Sequence, residues 1–454
     1  MKSETENSSE PLTTDEEMTL DQAACEFLEK HYLVTGEEGI FVWDGSCYRP
    51  RSKLYLENLV FGEAPVQFRD RMFSYLVKNI ITRCYCETDR LLSAHCFDDH
   101  DGHLMLNCAN GIVRWQQDRR SGLWLREEKE VEAPDKGRLF TGALAANYDP
   151  KAKCPETDQA LKEIQPEEKD RRALWIFGSY ILIPDCRMEQ CMFWKGLGGS
   201  GMGTAVKIYN APLGESLVTN QDMNVLGDSK RYSLSLLKYA MLNLSTELST
   251  KLVEDTAIWI ALVVGEYTMS RILYEQYKKL KSSCKHIPQG NNLPNIKKAT
   301  KADLRRIVPI AFTQEFTKED RDVELKKHMD TERDGMLLNM IQGVPELLSM
   351  SALPEGGKQS VALARRMGVR MDPTAVFLDK CTYIDPLDEK GQGICCFKED
   401  LIWAYNEFMK ECGMHQMVDE SGHWLSRLYD DYNIPIKQPR AYNPRQSVSC
   451  SALI

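Results

Sequence analysis

The sequence predicts a multidomain α/β protein whose central domain is built on a parallel sheet. From about Leu174, short apolar strands alternate with helical segments, as in "CMFWK" followed by "VKIYNAPLG", and this alternation is typical of parallel sheets. The 454 residues provide enough chain for two to four domains with cores of their own. A composition of 43% hydrophobic and 27% charged residues is that of an ordinary folded protein.

The N-terminal part is predicted to be an acidic tail (1–17) followed by a small α+β domain (18–165). The segment "LDQAACEFLEKHYLV" has helical periodicity from Leu20, and "FRDRMFSYLVKNIITRCY" predicts a second helix. Two pairs of strands are predicted around tight turns at Asp44-Gly45 and Asn110-Gly111.

The central α/β domain is predicted to span 166–352, and a winged-helix-like domain is predicted to span 353–445, followed by a tail at 446–454. In the last domain, "KEDLIWAYNEFMKECG" forms an amphipathic helix that ends at Gly413, and "GHWLSRLYDDYNIPIKQPR" contributes a second helix and a basic end. We expect the helically spaced aromatic residues Trp403, Tyr405 and Phe408 to lie in the core.

Composition also narrows the class of protein. A net charge of −10 argues against a general nucleic-acid-coating protein, although basic residues can still gather in one channel. No apolar run reaches the length of a membrane span, and the first residues do not resemble a secretion signal. We therefore expect an intracellular protein, in the cytoplasm of a host or bacterial cell, without a membrane partner. The fifteen cysteines are then expected to be reduced, and the Cys and His residues between Cys84 and Cys108 do not have the spacing of a usual zinc site.

The stretch "GLGGSGMGT" (Gly196–Thr204), called the glycine loop below, follows the strand "CMFWK" and precedes a helix. Such a loop directs backbone N–H groups at phosphate oxygens, and the following helix adds partial positive charge. Six residues (Gly196, Leu197, Gly198, Gly199, Ser200 and Gly201) fit the first six places of the phosphate-loop pattern G-x-x-x-x-G-K-[ST]. Met202 takes the place of the lysine, Gly203 takes the hydroxyl place, and Thr204 comes one residue later.

Three later features match the needs of an ATPase. The apolar stretch "YAMLNLSTE" ends at Glu247, where such enzymes keep an acid that supports Mg²⁺ or polarises the attacking water. Asn291, in "NNLP", can orient that water, and its spacing to Leu-Pro favours it over Asn292. Arg305 and Arg306 precede the apolar "IVPIAF", and one of them can reach a nucleotide on a neighbouring subunit.

With these motifs in this order, the sequence resembles the superfamily 3 helicases of phages, plasmids and poxviruses, the helicase part of their primase-helicases. "LWIFGSYILIPD" resembles the lead-in helix of that family, and the glycine loop resembles its variant G-x-G-G-S-G-K-G-T. "LNLSTELS", "NNLP" and "RRI" resemble its acidic motif, its third motif and its arginine finger. "VVGEYTMSRILY" resembles the segment with its DNA-contacting hairpin, and "NCANGIV" and "NYDPKAKCP" resemble its associated N-terminal domain.

The resemblance implies an AAA+-like phosphate-loop core that assembles into a ring, usually of six subunits. ATP and Mg²⁺ would bind between subunits, with Thr204 and Glu247 near the metal, and single-stranded or duplex DNA would pass through the channel. A separate primase and other replication proteins would be partners.

Four positions depart from the family pattern: Met202 in place of the lysine, Ile260 at a place that usually has lysine, Pro288 inside a predicted central strand, and Thr246 where many relatives have an acid. Two interpretations therefore stay open. The chain is either a replicative helicase subunit with weakened ATPase activity or a catalytically inactive ring or DNA-binding protein. An unrelated nucleotide-binding regulator is a third alternative.

Overall fold

The computed structural model describes the following residues: 18–36, 39–87, 90–97, 103–117, 124–126, 131–222, 232–245, 257–271, 277–293, 301–317, 324–382, 396–412, 418, 423–430, 434, 436–437 and 447–448. The chain divides into two compact units. Unit 1 comprises residues 1–92 and 133–143, and unit 2 comprises residues 93–132 and 144–454.

Unit 1 is a small α+β fold with one antiparallel sheet, of order β1-β2-β3. Its elements are α1 (Leu20–Lys30), β1 (Leu33–Gly36), β2 (Gly39–Trp43), β3 (Tyr48–Arg51), α2 (Lys53–Glu63) and α3 (Phe73–Arg83). Thr19 begins α1 with a capping box to Gln22. Asp44 Oδ1 closes the turn between β2 and β3 by accepting hydrogen bonds from the N–H groups of Ser46 and Cys47 at 2.8 and 2.9 Å. The predicted α1, α3 and turn are confirmed, whereas α2 was not predicted.

Unit 2 is built around a five-stranded sheet of order β14-β8-β13-β10-β9 in which every neighbouring pair is parallel. These strands are β8 (Cys191–Gly196), β9 (Val218–Thr219), β10 (Leu242–Ser245), β13 (Lys285–Gly290) and β14 (Ile307–Phe312). The predicted mixed α/β class and its parallel sheet are confirmed.

Two antiparallel elements accompany the parallel sheet. A four-stranded sheet contains β4 (His95–Phe97), β5 (Leu104–Cys108), β6 (Gly111–Gln117) and β7 (Trp124–Arg126), and a hairpin contains β11 (Thr268–Arg271) and β12 (Tyr277–Leu280). The turn between β5 and β6 requires glycine because Gly111 has a φ of +133°. Leu104, Leu106 and Trp115 belong to the same buried cluster as the core of the parallel sheet.

The parallel sheet of unit 2 has helices on both faces, and the α-helices of the unit follow in chain order. They are α4 (Pro155–Ile164), α5 (Glu168–Ile181), α6 (Met202–Ala205), α7 (Lys207–Leu213), α8 (Ala257–Val264), α9 (Lys301–Leu304), α10 (Leu325–Thr331), α11 (Arg333–Gln342), α12 (Val344–Leu348), α13 (Lys358–Met371), α14 (Pro373–Cys381), α15 (Lys398–Glu411) and α16 (His423–Asp430). Helices α5, α7 and α11 pack on one face, where Trp194 contacts Tyr209. Helices α8 and α13 pack on the other, where Phe193 contacts Leu363 and Met367.

The C-terminal helices α14, α15 and α16 share a core of their own. Three two-residue strands, β15 (Cys396–Phe397), β16 (Ile436–Lys437) and β17 (Ser447–Val448), form an antiparallel sheet of order β15-β17-β16. Tyr405 and Phe408 are buried as predicted. The prediction for Trp403 is wrong: its side chain is 62% exposed, because it lies on the outward face of α15 between Asp400 and Glu407.

Candidate functional site

The glycine loop begins at the end of β8 and runs into the first residues of α6. The strand ends at Gly196 and the helix begins at Met202. Gly199 and Gly201 have φ angles of +86° and +85°, a left-handed conformation that glycine adopts without a steric penalty. The N–H group of Phe316, just after β14, donates to the carbonyl of Gly199 at 3.0 Å. The loop is therefore held in one conformation by its own glycines and by the segment that follows the neighbouring strand.

Two glycines of the loop are also required by close packing. A Cβ on Gly196 would lie 2.8 Å from the Cβ of Phe312, and a Cβ on Gly201 would lie 2.7 Å from Cγ1 of Ile164 at the end of α4. Both distances are shorter than ordinary van der Waals contacts. Any larger residue at these positions would move the loop away from β14 or α4.

Two other glycines, and one serine, have a different environment. Apart from its immediate chain neighbours and the local helix backbone, a Cβ on Gly198 or Gly203 would meet no atom of the described residues within 4 Å, so packing does not require glycine there. Ser200 is 2% exposed, and its hydroxyl has no hydrogen-bond partner among the described residues. A buried hydroxyl without a partner costs free energy. A loop with open space and an unsatisfied hydroxyl fits a small anionic group such as a phosphate.

The place of the missing lysine is not filled by its nearest neighbours in sequence. Met202 is half-buried and packs against the main core, and its thioether carries no charge. Lys207 Nζ donates to both carboxylate oxygens of Asp330 at 2.7 and 2.8 Å. Lys195 lies on the same face of β8 as Phe193 because side chains alternate along a strand, so it lies on the face opposite to α7.

The structure brings Asn291 to the glycine loop. In the ladder between β13 and β8, Gly290 pairs with Lys195, so Asn291 follows directly beside Gly196, about 5 Å away across the sheet. Asn291 is exposed. Ligands of parallel α/β sheets bind at the carboxyl ends of the strands, and both features lie at that edge.

The acidic candidate cannot be placed in the same way. Thr246 and Glu247 lie outside the described residues; β10 ends one residue earlier, at Ser245, on the carboxyl edge of the sheet. Thr204 lies within α6 and is half-buried. The predicted roles of Thr204 and Glu247 at a metal stay predictions.

Arg305 and Arg306 lie at the opposite edge of the sheet. They directly precede β14, whose first residue pairs with Cys191 at the start of β8. Six strand residues separate this edge from the glycine loop, or about 17 Å. Arg306 is 3.7 Å from a carboxylate oxygen of Glu189 and its side chain is 13% exposed, whereas Arg305 is exposed. Within one chain neither arginine is placed to contact a group in the loop.

Pro288 does not prevent β13 from forming a central strand. The ladder with β10 ends at the pair Ser245–Pro288, and the ladder with β8 begins at the next residue, with Gln289 beside Trp194. A missing N–H at the point where the strand changes partner interrupts neither ladder. The predicted poor fit of Pro288 is therefore wrong.

Ile260 is part of a buried contact. It packs with Trp259, Val263 and Cys191 at the beginning of β8, so an apolar residue at this place stabilises the sheet. The following segment forms the hairpin of β11 and β12, in which Met269 pairs with the exposed Lys279. Lys281 lies 5.5 Å from the ring centre of Tyr267, which is 68% exposed.

Sequence reasoning did not identify one buried carboxylate near the loop. Asp170 is 2% exposed, and its Oδ1 accepts hydrogen bonds from the N–H of Gly357 at 2.9 Å and the hydroxyl of Ser360 at 2.6 Å. The Ser360 hydroxyl in turn accepts from the N–H of Ala311 in β14 at 2.9 Å. The first turn of α13 is thereby fixed to the strand beside the loop. An isolated aspartate in an amphipathic helix carries no sequence signal for partners so far along the chain.

The described part of the chain forms neither a metal cluster nor a membrane span. No three His, Cys, Asp or Glu side chains come close enough there to hold a metal ion; His100 lies outside it. The cysteines of that part are free thiols. No helix among these residues is both long enough and apolar enough to cross a bilayer.

Comparisons with known proteins give one match to a family model and several matches to solved structures. Residues 25–166 match the family model described as "D5 N terminal like". No curated protein matches the chain. Three solved structures of the NrS-1 C-terminal region share its fold, with TM-scores of 0.54, 0.52 and 0.52 at 12%, 13% and 13% sequence identity. They cover 94–96% of this chain, which in turn covers 98–100% of theirs.

Proposed function

We propose that the chain is a subunit of a superfamily 3 helicase that acts in phage-type DNA replication, and that its glycine loop binds the phosphates of ATP. The observation that carries the proposal is the edge of the parallel sheet, where the loop between β8 and α6 lies beside the exposed Asn291. The match of residues 25–166 to the "D5 N terminal like" family supports it, as does the fold shared with the NrS-1 C-terminal region.

In this proposal the backbone N–H groups of the glycine loop hold the phosphates, and the unsatisfied hydroxyl of Ser200 donates to the same anion. Asn291 orients the attacking water, with Glu247 as the acid that polarises it. Mg²⁺ would neutralise charge on the phosphates, with Thr204 and Glu247 as the residues to hold it. Neither Arg305 nor Arg306 reaches the loop of its own chain, so an arginine finger has to act on a second copy. Arg305 is the better candidate, because Arg306 is engaged by Glu189.

Met202 determines how fast the reaction runs. A lysine at this place offsets the negative charge that develops on the phosphates, and methionine offers neither charge nor donor. Removal of one preorganised polar group of this kind costs about 10²–10³ in rate. The site is therefore expected to bind nucleotide and to hydrolyse it slowly.

The resemblance to superfamily 3 helicases also supports a proposal for how the chain assembles and contacts DNA. The chain would assemble into a ring of about six copies with DNA in its channel, contacted by the hairpin of β11 and β12, and with the winged-helix-like C-terminal helices as a further DNA-binding element. A separate primase would supply primers. These roles place the protein with the replication machinery inside the cell.

A second candidate function is a ring or DNA-binding protein that does not hydrolyse ATP. The ion pair of Lys207 with Asp330 favours it, because this lysine does not replace the missing charge. Both functions share the fold and differ only in turnover.

Steady-state ATPase activity with and without single-stranded DNA tests the proposal on wild type and Met202→Lys. We expect slow turnover for wild type and an increase of about 10²–10³ in the variant. Met202→Gln is a matched control, because it is polar but uncharged and should not restore activity. Binding of a fluorescent ATP analogue is measured in parallel. Gly198→Val is included because its side chain fills the loop without an internal clash. If the wild type binds no nucleotide, the proposal is contradicted. If the wild type binds nucleotide but neither it nor Met202→Lys hydrolyses ATP, the result favours the second candidate function, the ring that does not hydrolyse ATP.

A further inference from the structure

One segment of unit 1 is basic although the chain as a whole is acidic. Residues 49–85 contain seven arginines and lysines but only three acidic residues, a balance of +4 in a chain with a net charge of −10. The basic residues are Arg49, Arg51, Lys53, Arg69, Arg71, Lys78 and Arg83. Arg49 and Arg83 form ion pairs with Asp44 and Asp21 outside the segment, and a local excess of unpaired positive charge is the electrostatic feature that attracts phosphates.

The same segment exposes large apolar side chains on the outward face of α2. Leu54, Tyr55 and Phe61 are 64%, 41% and 50% exposed, whereas the helix buries Leu56 and Val60. A solvent-facing helix surface normally carries charged and polar residues. An outward face made of large apolar side chains indicates a binding surface.

Cations and rings are paired on this surface. The guanidinium of Arg51 lies 5.1 Å from the ring centre of Tyr55, and that of Arg69 lies 5.7 Å from the ring centre of Phe61. Arg69 is held in place because its Nε donates to the carbonyl of Ala64 at 2.9 Å. Phe61 follows Tyr55 by six positions along α2, which is a rise of about 9 Å along the helix axis. We call the exposed side chains of Arg51, Lys53, Leu54, Tyr55 and Phe61, with Arg69, the α2 surface.

The nearby acidic residues do not neutralise these arginines. Glu57 lies 3.4 Å from Lys53, and Glu63 is 2.7 Å from Nε2 of His31. Among the described residues, no carboxylate lies within ion-pair distance of Arg51 or Arg69. Two guanidinium groups therefore keep their charge available beside exposed aromatic rings.

We propose that the α2 surface binds single-stranded nucleic acid, DNA in the setting of the proposed function, with bases stacked on Tyr55 and Phe61 and phosphates at Arg51, Lys53 and Arg69. Exposed rings interleaved with cations are how proteins bind single strands without sequence preference. A duplex keeps its base faces stacked inside, so it offers nothing to these rings. The proposal rests on the proposed function only for the identity of the polymer, and it gives unit 1 a DNA site distinct from the hairpin of β11 and β12.

The test is fluorescence anisotropy of a labelled oligothymidylate with the full chain, in the absence of nucleotide. Tyr55→Ala and Phe61→Ala should each weaken binding about 5- to 100-fold. Arg51→Gln with Lys53→Gln should flatten the dependence of affinity on salt, by about 0.7 in the logarithmic slope for each phosphate that is no longer neutralised. Tyr85→Ala is the matched control, since this tyrosine of unit 1 is 59% exposed but lies outside the α2 surface, and it should leave affinity unchanged.

The outcomes separate this inference from the proposed function. Weaker binding by Lys279→Ala in the hairpin, with full binding by the α2 variants, overturns the inference and leaves the proposed function standing. No binding by wild type overturns both. If the protein binds duplex and single-stranded DNA equally, the α2 surface is assigned to duplex DNA and the inference is overturned. If the α2 variants change the oligomeric state in light scattering but not the DNA affinity, the surface is assigned to a second copy of the chain, and the inference is again overturned. Thermal unfolding shows whether Phe61→Ala has a folding defect. If it does, the inference is judged from Tyr55→Ala and from the double variant of Arg51 and Lys53.

Discussion

Two fully buried histidines of unit 2 should make its stability depend on pH. His95 in β4 lies 3.2 Å from the hydroxyl of Ser283, and His286 in β13 receives a hydrogen bond from the amide of Asn243 at 3.3 Å. Burial, together with the charge of the nearby Lys285, lowers the pKa of His95 to about 3 and the pKa of His286 to about 4. Both side chains are therefore neutral in the folded protein at any pH where the chain is handled.

The direction of the effect follows from proton binding. An unfolded histidine has a pKa of about 6.5, so below that pH the unfolded state binds protons that the folded state excludes. The free energy of unfolding then falls as pH falls from 6.5 towards 4. At pH 5 each histidine contributes a loss of about 2 kcal/mol, and the pair about 4 kcal/mol, at about 1.4 kcal/mol per pH unit.

The carboxylate of Asp185 acts in a different pH range. The pKa of Asp185 is lowered from 3.8 because the hydrogen bonds from Arg187 outweigh its burial. Its stabilising contribution is present above the unfolded pKa and is lost only below about pH 4. A loss of stability between pH 6.5 and 4.5 therefore does not come from Asp185, and Asp158, whose pKa is raised by burial, has an effect of the opposite sign.

Urea unfolding followed by tryptophan fluorescence at pH 7.5, 6.5, 5.5 and 5.0 measures the effect. We expect His286→Gln to reduce the pH dependence by about half, because glutamine still accepts from Asn243 and does not titrate. His328→Gln is the control, because His328 lies on the surface beside Glu156. A wild-type free energy of unfolding that changes by less than about 1 kcal/mol between pH 7.5 and 5.0 would refute the reasoning.

Two further predictions concern the surroundings of the glycine loop. Asp170→Ala should lower the free energy of unfolding by about 3–5 kcal/mol, since two buried donors lose their acceptor. As a control, Glu168→Ala on the exposed side of the same helix should change it by less than about 0.5 kcal/mol. Equal urea midpoints for the two variants would contradict this prediction. Gly201→Ala should cost about 2–4 kcal/mol through its positive φ and its contact with α4. Gly198→Ala should leave the urea midpoint unchanged, and a comparable loss in both variants would show that the two glycines do not differ as described.

The elements that were predicted are those whose sequence pattern matches one buried face. β8, the glycine loop and α7 follow one another as the sequence indicates, because a short apolar run, a glycine cluster and an amphipathic segment each have a local cause. Helix α2 was missed for a physical reason. Its apolar residues Leu54, Tyr55 and Phe61 point outwards, so they do not form the single stripe by which an amphipathic helix is identified.

Contacts between distant parts of the chain explain the remaining differences. Nothing near Lys207 in sequence indicates that Asp330 will engage it, and nothing near Gly201 indicates that Ile164 packs against it. The pairing of the strand at Pro288 is likewise not indicated by the local sequence. Its unsuitability for a central strand is a sound local rule, but the strand changes its pairing partner at that residue, and only the tertiary structure determines this.

The glycines of the loop fall into two groups, and the difference bears on what Met202 means. Gly196, Gly199 and Gly201 are required by the fold, through close contacts or positive φ angles. Gly198 and Gly203 face open space, where any small residue would satisfy the fold alone. A purely structural turn needs only the first group. A loop that also keeps the second group free of side chains, around a buried serine hydroxyl without a partner, has room for a ligand that approaches the backbone closely. In the proposed function Met202 brings no charge to the phosphates, and none of its atoms lies within 4 Å of a Cβ built on Gly198, so its expected effect is on turnover more than on binding.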